Sequence, residues 1–118
     1  MKTINNFTEL PKSAFFCGIG GSGMSGLSQL LAARGIDVSG SDINLNKAIK
    51  KLISQGINIS LKQDGHSIPS SCELIIASAA ISRNNPEIIE GQKKGIPIIS
   101  YAEALGLIQS QHTAVCIA

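Results

Sequence analysis

Residues 18–23 read Gly18-Ile19-Gly20-Gly21-Ser22-Gly23, a GxGxxG pattern. Each glycine has a physical task in a nucleotide-binding turn. The first permits a tight bend, the second lets a phosphate approach the backbone, and the third lets helix and strand pack closely. The N–H groups that open the next helix, aided by its dipole, then hold an anion. Glycine-rich turns are common, so context decides. Here the pattern directly follows an apolar run at residues 14–17 and directly opens a helical pattern, which is the setting the mechanism requires.

Asp42 stands 19 residues after Gly23, inside Ser39-Gly40-Ser41-Asp42, at the end of a second apolar run. A carboxylate there can accept hydrogen bonds from a ribose diol. It is also placed to cap the helix that follows, and the two roles are compatible. Ser78-Ala79-Ala80 follows the most apolar run of the chain. Its small side chains leave room for a ligand opposite the glycine turn, or simply pack.

The other chemistry-bearing residues lead elsewhere. His66 and His112 have no Cys or carboxylate arrangement beside them and read as surface histidines. Glu103 completes a capping box, Ser100-Tyr101-Ala102-Glu103. There is no GxSxG nucleophile motif and no GxxxxGK[ST] phosphate loop. Cys17, Cys72 and Cys116 are the three cysteines, and they form no CxxC and no Cys/His cluster. They read as buried, reduced thiols rather than a disulfide framework or a zinc site. The residues therefore supply a site for a nucleotide diphosphate, with no catalytic residue and no metal ligand.

The elements that must position this site alternate along the chain. Residues 14–17, 36–39, 74–77 and 97–99 are short apolar runs, and Ile57, Ile59 and Leu61 alternate with polar residues as an edge strand does. Helical patterns separate them. Met24, Leu27, Leu30 and Leu31 precede Gly35, while Leu45, Ala48, Ile49, Leu52 and Ile53 precede Gly56. Asn85 as cap, Pro86 at the first position, Glu87 in the first turn and Lys93-Lys94 in the last define a third helix, closed by Gly95. Residues 62–71 form a polar loop, and 113–118 read as a final strand. This βαβαβ-loop-βαβα order predicts an α/β fold: a Rossmann-like, doubly wound parallel sheet of about five strands, order 3-2-1-4-5, with helices on both faces.

Composition narrows the function classes. The chain has 118 residues, which is one domain's worth, and 43% of them are hydrophobic, so it can bury a core. Ten Lys/Arg against eight Asp/Glu give a net charge of +2, too little for a nucleic-acid or membrane-binding surface. Aromatic residues are 3% and Trp is absent, which excludes binding of single strands by base stacking. No apolar run approaches the ~20 residues of a membrane span, and nothing resembles a signal peptide, so a cytoplasmic location is expected.

The segment Phe16-Cys17-Gly18-Ile19-Gly20-Gly21-Ser22-Gly23-Met24-Ser25-Gly26 resembles the opening of the Mur ligase family. The resemblance continues through Val38-Ser39-Gly40-Ser41-Asp42, Ser78 to Ile81, Asn85-Pro86-Glu87, Gly95-Ile96-Pro97 and Ala102-Glu103. It spans about residues 14–118. Within the family it favours the kind that joins L-alanine to UDP-N-acetylmuramate in peptidoglycan precursor synthesis. It implies that residues 1–118 are the UDP-binding domain. Gly18, Gly20, Gly21, Ser22, Gly23 and Met24 would hold the diphosphate, Ser41 and Asp42 would sit near the uridine, and Ser78 and Ala79 would line the same cleft. It implies no cofactor in this domain. ATP, magnesium and L-alanine would act through a central domain whose leading strand begins at 113–118.

Three positions depart from the family pattern. Lys62-Gln63 stands where Gly-His is frequent, so the resemblance does not carry over a histidine contact to the base. Ser78-Ala79 stands for paired serines, and Tyr101 for an arginine. These departures leave open a sister ligase that attaches a tripeptide to the same UDP sugar. The turn and Asp42 alone would also suit an NAD-binding module.

Overall fold

The computed structural model describes residues 11–21 and 23–108. Ser22 and the expected strand at 113–118 lie outside the described residues. Strand β1 (Ser13–Cys17) is buried at all five positions. Its side chains alternate between two separate apolar clusters. Phe16 joins Ile19, Leu31, Ile49, Leu52 and Leu74 on one face. Phe15 and Cys17 join Ile68, Cys72, Ile75 and Ile96 on the other. A strand covered on both faces is the central strand of a parallel sheet.

β1 pairs in parallel with β2 (Asp37–Ser41) and β4 (Leu74–Ala77). Outside these lie β3 (Asn58–Ser60) and β5 (Ile98–Ser100), so the order is β3-β2-β1-β4-β5 as the alternation predicts. Helix α1 (Met24–Ala33), α2 (Lys47–Ser54) and α3 (Pro86–Lys93) supply the crossovers between neighbours. Residues 101–108 form a further helix, α4. Chain order reverses at β1, between β2 and β4, and ligands of doubly wound sheets bind at that switch point.

Local signals read correctly where they rest on hydrogen bonding. Asn85 caps α3 by accepting the Glu87 N–H, with Pro86 in the first turn. Ser100 and Glu103 cap each other's N–H reciprocally at 3.0 and 3.1 Å. The apolar stripes need correction. Leu30, Leu45 and Ile53 are 40%, 54% and 46% exposed. α1 buries Met24, Leu27, Ser28 and Leu31 instead. Ser28 enters that face because its hydroxyl donates to the Ser25 carbonyl at 2.7 Å. Helix α2 starts after Leu45 because Asn46 caps it, and it buries only Ile49 and Leu52. β2 also runs two residues past Ser39, to Ser41. No helix of the described residues is long and apolar enough to cross a membrane.

Gly40 lets β2 pass beneath the start of the glycine turn. A Cβ there would lie 2.7 Å from the Phe16 carbonyl and 2.7 Å from Ile19 Cδ1. In contrast, a Cβ at Gly26 in α1 would meet nothing within 4 Å. Gly40→Ala is therefore expected to destabilise the chain by about 1–3 kcal/mol through overpacking. Gly26→Ala should stabilise it by roughly 0.4–1 kcal/mol, mainly by restricting the unfolded chain. Urea unfolding of both variants checks this, and equal midpoints would contradict it.

Candidate functional site

The glycine turn is anchored to the end of β2 by its own backbone. Gly18 and Ile19 both donate N–H to the Ser41 carbonyl, each at 2.9 Å. The Gly20 N–H donates to Asp42 Oδ2 at 2.9 Å. Gly21 closes back on the Gly18 carbonyl at 3.0 Å, and Met24 donates to the Gly21 carbonyl at 3.0 Å. Gly18 and Gly23 have φ of 84° and 79°, in the left-handed region where glycine is unstrained. These bonds consume N–H groups that a simple cradle would offer to an anion. Gly23, at the start of α1, has an N–H with no acceptor among the described residues.

A cleft of about 400 Å³ opens above this turn at the carboxyl ends of the strands. Gly18, Gly20, Gly21, Asp42 and Ser78 line it, as the sequence leads one to expect. Asp42 is already engaged at both oxygens, since Oδ1 accepts the Asn44 N–H at 3.0 Å. Each oxygen keeps a second lone pair for a ligand. Asp42 does not cap α2, because Asn46 accepts the Ile49 N–H there. Ser78 Oγ accepts the Ala80 N–H at 3.2 Å and borders Gly21.

Four expected site residues are placed differently. Gly23 is not among the residues that line the cleft, and the Tyr101 hydroxyl lies against it. The Ser41 side chain is fully buried beneath the cleft, and its hydroxyl donates to Glu87 Oε1. Only its carbonyl serves the turn. Met24 is 1% exposed, with its side chain in the core. Ala79 lines a neighbouring hollow of about 480 Å³ between the ends of β4 and β5, together with Arg83, Gln92, Ser100 and Glu103. Ala80 takes its place in the cleft. Ser22 lies outside the described residues.

Sequence reasoning missed what lies below and beside the turn. Asn44, Asn46, Gln63, Ser82 and Asn85 line the cleft, and Ile43 is an apolar lip, 69% exposed. Tyr101 lays its hydroxyl against Gly23, which leaves no room there for a Cβ. The sequence places Glu87 in the first turn of α3, where an acid faces the helix dipole, yet it is fully buried. Its Oε1 accepts from Ser41 Oγ and from the Cys17 thiol at 3.4 Å, while Oε2 has no hydrogen-bond partner among the described residues. The available signal was its place on the buried stripe of α3, beside Ile88 and one turn from Gly91.

Burial pushes the Glu87 carboxyl above the usual carboxylate range; Asp64 adds to that, and bonds from Ser41 and Cys17 oppose it. Burial, then the charge of Glu87, pushes the Cys17 thiol far above its ordinary value. A thiol held protonated is not a nucleophile. Among the described residues, no group of three or more His, Cys, Asp or Glu could hold a metal ion.

Comparison with known proteins bears on the family and the fold. Residues 14–113 match the family model described as "Mur ligase family, catalytic domain". The UDP-N-acetylmuramate–L-alanine ligase of Saccharopolyspora erythraea is 37% identical over 114 residues, which is 94% of this chain and 23% of that protein. The solved UDP-N-acetylmuramate–alanine ligase MurC of Thermotoga maritima superposes with a TM-score of 0.76 at 29% identity, over 79% of this chain and 21% of that one. A Neisseria ligase for UDP-N-acetylmuramate and an L-alanyl-γ-D-glutamyl-meso-diaminopimelate peptide gives 0.68 at 24% identity, over 75% and 28%, a likeness of fold alone. The chain thus spans less than a quarter of the length of the curated ligase it matches.

The buried acid gives a test of this arrangement. A carboxyl whose pKa is higher folded than unfolded holds its proton more tightly in the folded state. Its contribution to stability is complete below the ordinary carboxylate range and is lost as pH rises through the raised value. Glu87→Gln removes that titration. The variant is expected to gain stability relative to the parent chain as pH rises from about 4 upward. Urea unfolding of both proteins across pH reads this difference, and parallel curves would mean that Glu87 is ordinarily ionised.

Proposed function

The chain belongs to the Mur ligase family, and we propose that it binds the UDP part of UDP-N-acetylmuramate, as the nucleotide-binding domain of a ligase that attaches L-alanine. The observation that carries this reading is the glycine turn, locked to β2 through Ser41 and Asp42, at the floor of a switch-point cleft. In this reading Gly21, Gly23 and the start of α1 meet the diphosphate, with Ser78 opposite. Asp42 accepts from the ribose diol through its remaining lone pairs. Ile43 and Ile81 supply apolar surface for the base. The relatives' names supply the sugar and the amino acid.

The cleft's charge sets how a diphosphate is held. Among the described residues its lining contains one carboxylate, Asp42, and no Lys, Arg or His. Recognition therefore rests on N–H and hydroxyl dipoles, which act at short range and in fixed directions. ATP, magnesium and L-alanine belong, in this proposal, to parts of the ligase beyond this domain. The chain alone is accordingly expected to bind nucleotide and not to hydrolyse ATP.

Saturation-transfer NMR on the chain with UDP-N-acetylmuramate, UDP and NADH tests the reading. Both UDP ligands are expected to respond; a response to NADH alone would favour a dinucleotide module and overturn it. Gly21→Asp gives the mutational check. A Cβ at Gly21 lies 3.2 Å from the Gly18 carbonyl and 3.4 Å from Ser78 Oγ, so the turn can accept it with small shifts. The added carboxylate should then repel the diphosphate and weaken UDP by at least about tenfold, or ~1.4 kcal/mol. A folded variant with unchanged affinity would place the phosphates elsewhere.

A further inference from the structure

Residues 61–73 join β3 to β4 with no helix or strand of their own. Among the described residues the one backbone hydrogen bond inside this loop runs from the Cys72 N–H to the Pro69 carbonyl, at 3.1 Å. Side chains anchor the rest. At the start, Ser60 Oγ accepts the Lys62 N–H at 3.1 Å, and further on Ile68 is buried in the second apolar cluster. Between these anchors, residues 63–67 lie over the first turn of α3. A Cβ on Gly65 would stand 3.1 Å from the Pro86 carbonyl and 3.2 Å from Glu90 Cβ.

Glu87 lies under this stretch, fully buried, with Oε2 unpartnered among the described residues. Protonation removes the charge that burial penalises. Once ionised, the carboxyl has no cation against it. The groups around it are the Cys17 thiol from β1, Asp42 facing that thiol from the end of β2, and Asp64 with the Gly65 backbone from the loop. On α3 itself, Lys94 pairs with Glu90 at 3.9 Å. Only water can then relieve the charge, and the elements covering Glu87 differ in what they cost to move. β1 and β2 are each paired on both edges, and Asn85 caps α3. Residues 63–67 are held to them by long side-chain bonds of Gln63, 3.4 Å to Ser41 Oγ and 3.3 Å from the Asn85 amide. Local opening takes place where buried contacts and hydrogen bonds are fewest.

We propose that residues 63–67 form a pH-dependent latch, closed on α3 while Glu87 is protonated and opened, with water admitted to the carboxyl, when Glu87 ionises. Gln63 lines the cleft, so opening withdraws part of its wall and ties the shape of the site to pH. The latch requires no particular ligand in the cleft. Its sign follows from linkage. Burial, with Asp64 adding to it, holds the closed-state carboxyl above the ordinary range, and hydration in the open state returns it there. The closed state therefore binds the proton more tightly. Closure is complete below the ordinary carboxylate range and is lost as pH rises through the raised value, by at most about tenfold per pH unit for one proton.

Amide hydrogen exchange on the 118-residue chain tests this, read residue by residue by NMR from about pH 4 to 8 and corrected for the intrinsic rate at each pH. Gly65, which is buried, and its neighbours at 63–67 are expected to be less protected than Phe16 and Ile76 in the inner strands. Their protection should also fall with rising pH, by up to about tenfold per unit. Glu87→Gln keeps an acceptor for Ser41 and should abolish that slope in the loop. If this variant does not fold, the parent chain decides alone. Loop protection that is flat with pH, or equal to that of the inner strands at every pH, would overturn the latch. So would a slope that survives in folded Glu87→Gln.

Discussion

Two backbone N–H groups, of Gly18 and Ile19, meet the single carbonyl of Ser41 at 2.9 Å each. The contact extends the β1–β2 ladder by one step beyond its last register pair, Cys17 with Ser41. It ties the chain to β2 just as it bends away from β1 to start α1. Asp42, the next residue, then takes the Gly20 N–H. The glycine turn is therefore an outgrowth of the sheet, with a position set by strand register. This explains why the demands on residue type reach beyond the GxGxxG itself. Gly40 must lack a side chain for Ile19 to cross above it, and Gly20 must lack one because Ile49 and Asp42 fill that space.

The same strand end carries a liability below the turn. Glu87 places a carboxyl in a fully buried position with one oxygen unpartnered, an arrangement that opposes folding whenever the group is charged. An apolar residue there would avoid that penalty. It would also leave the Ser41 hydroxyl without the Glu87 oxygen to which it donates. The buried carboxyl thus sets an electrostatic penalty against a satisfied buried hydroxyl. A partly satisfied network is high in stakes on both counts.

Hydrogen-bonding patterns and strand burial were legible in the sequence because they are local. The all-apolar run Leu74-Ile75-Ile76-Ala77 could only be an inner strand, and Asn85-Pro86 with Gly95 bracketed α3 correctly. The turn and Asp42 were legible for the same reason. What escaped depends on which partner arrives in three dimensions. Leu30 and Leu27 share one periodic pattern, yet only Leu27 is covered. Glu87 looks identical to an exposed first-turn acid until Ser41 and Cys17 are brought against it from two other strands. Met24 and Ser41 sit next to the right residues in sequence, but alternation turns their side chains away from the cleft and into the core. Ala79 falls on the far side of Ser78 for a similar reason, because the chain bends there between two hollows.

Charge gives the site a direction. Among the described residues of the cleft Asp42 is the one carboxylate and stands at the β2 end, whereas Gly21 and Ser78 stand on the side of α1 and β4. For a nucleoside diphosphate these ends are not equivalent. A diol gives hydrogen bonds and is drawn to Asp42; a phosphate accepts them and is repelled from it. On the proposed reading the phosphates lie towards α1 and Ser78, and the ribose towards β2, with no cation among the described residues of the cleft. On the proposed UDP reading, the order of strands, which sets Asp42 at the end of β2 and Ser78 at the end of β4, gives the ligand one preferred orientation.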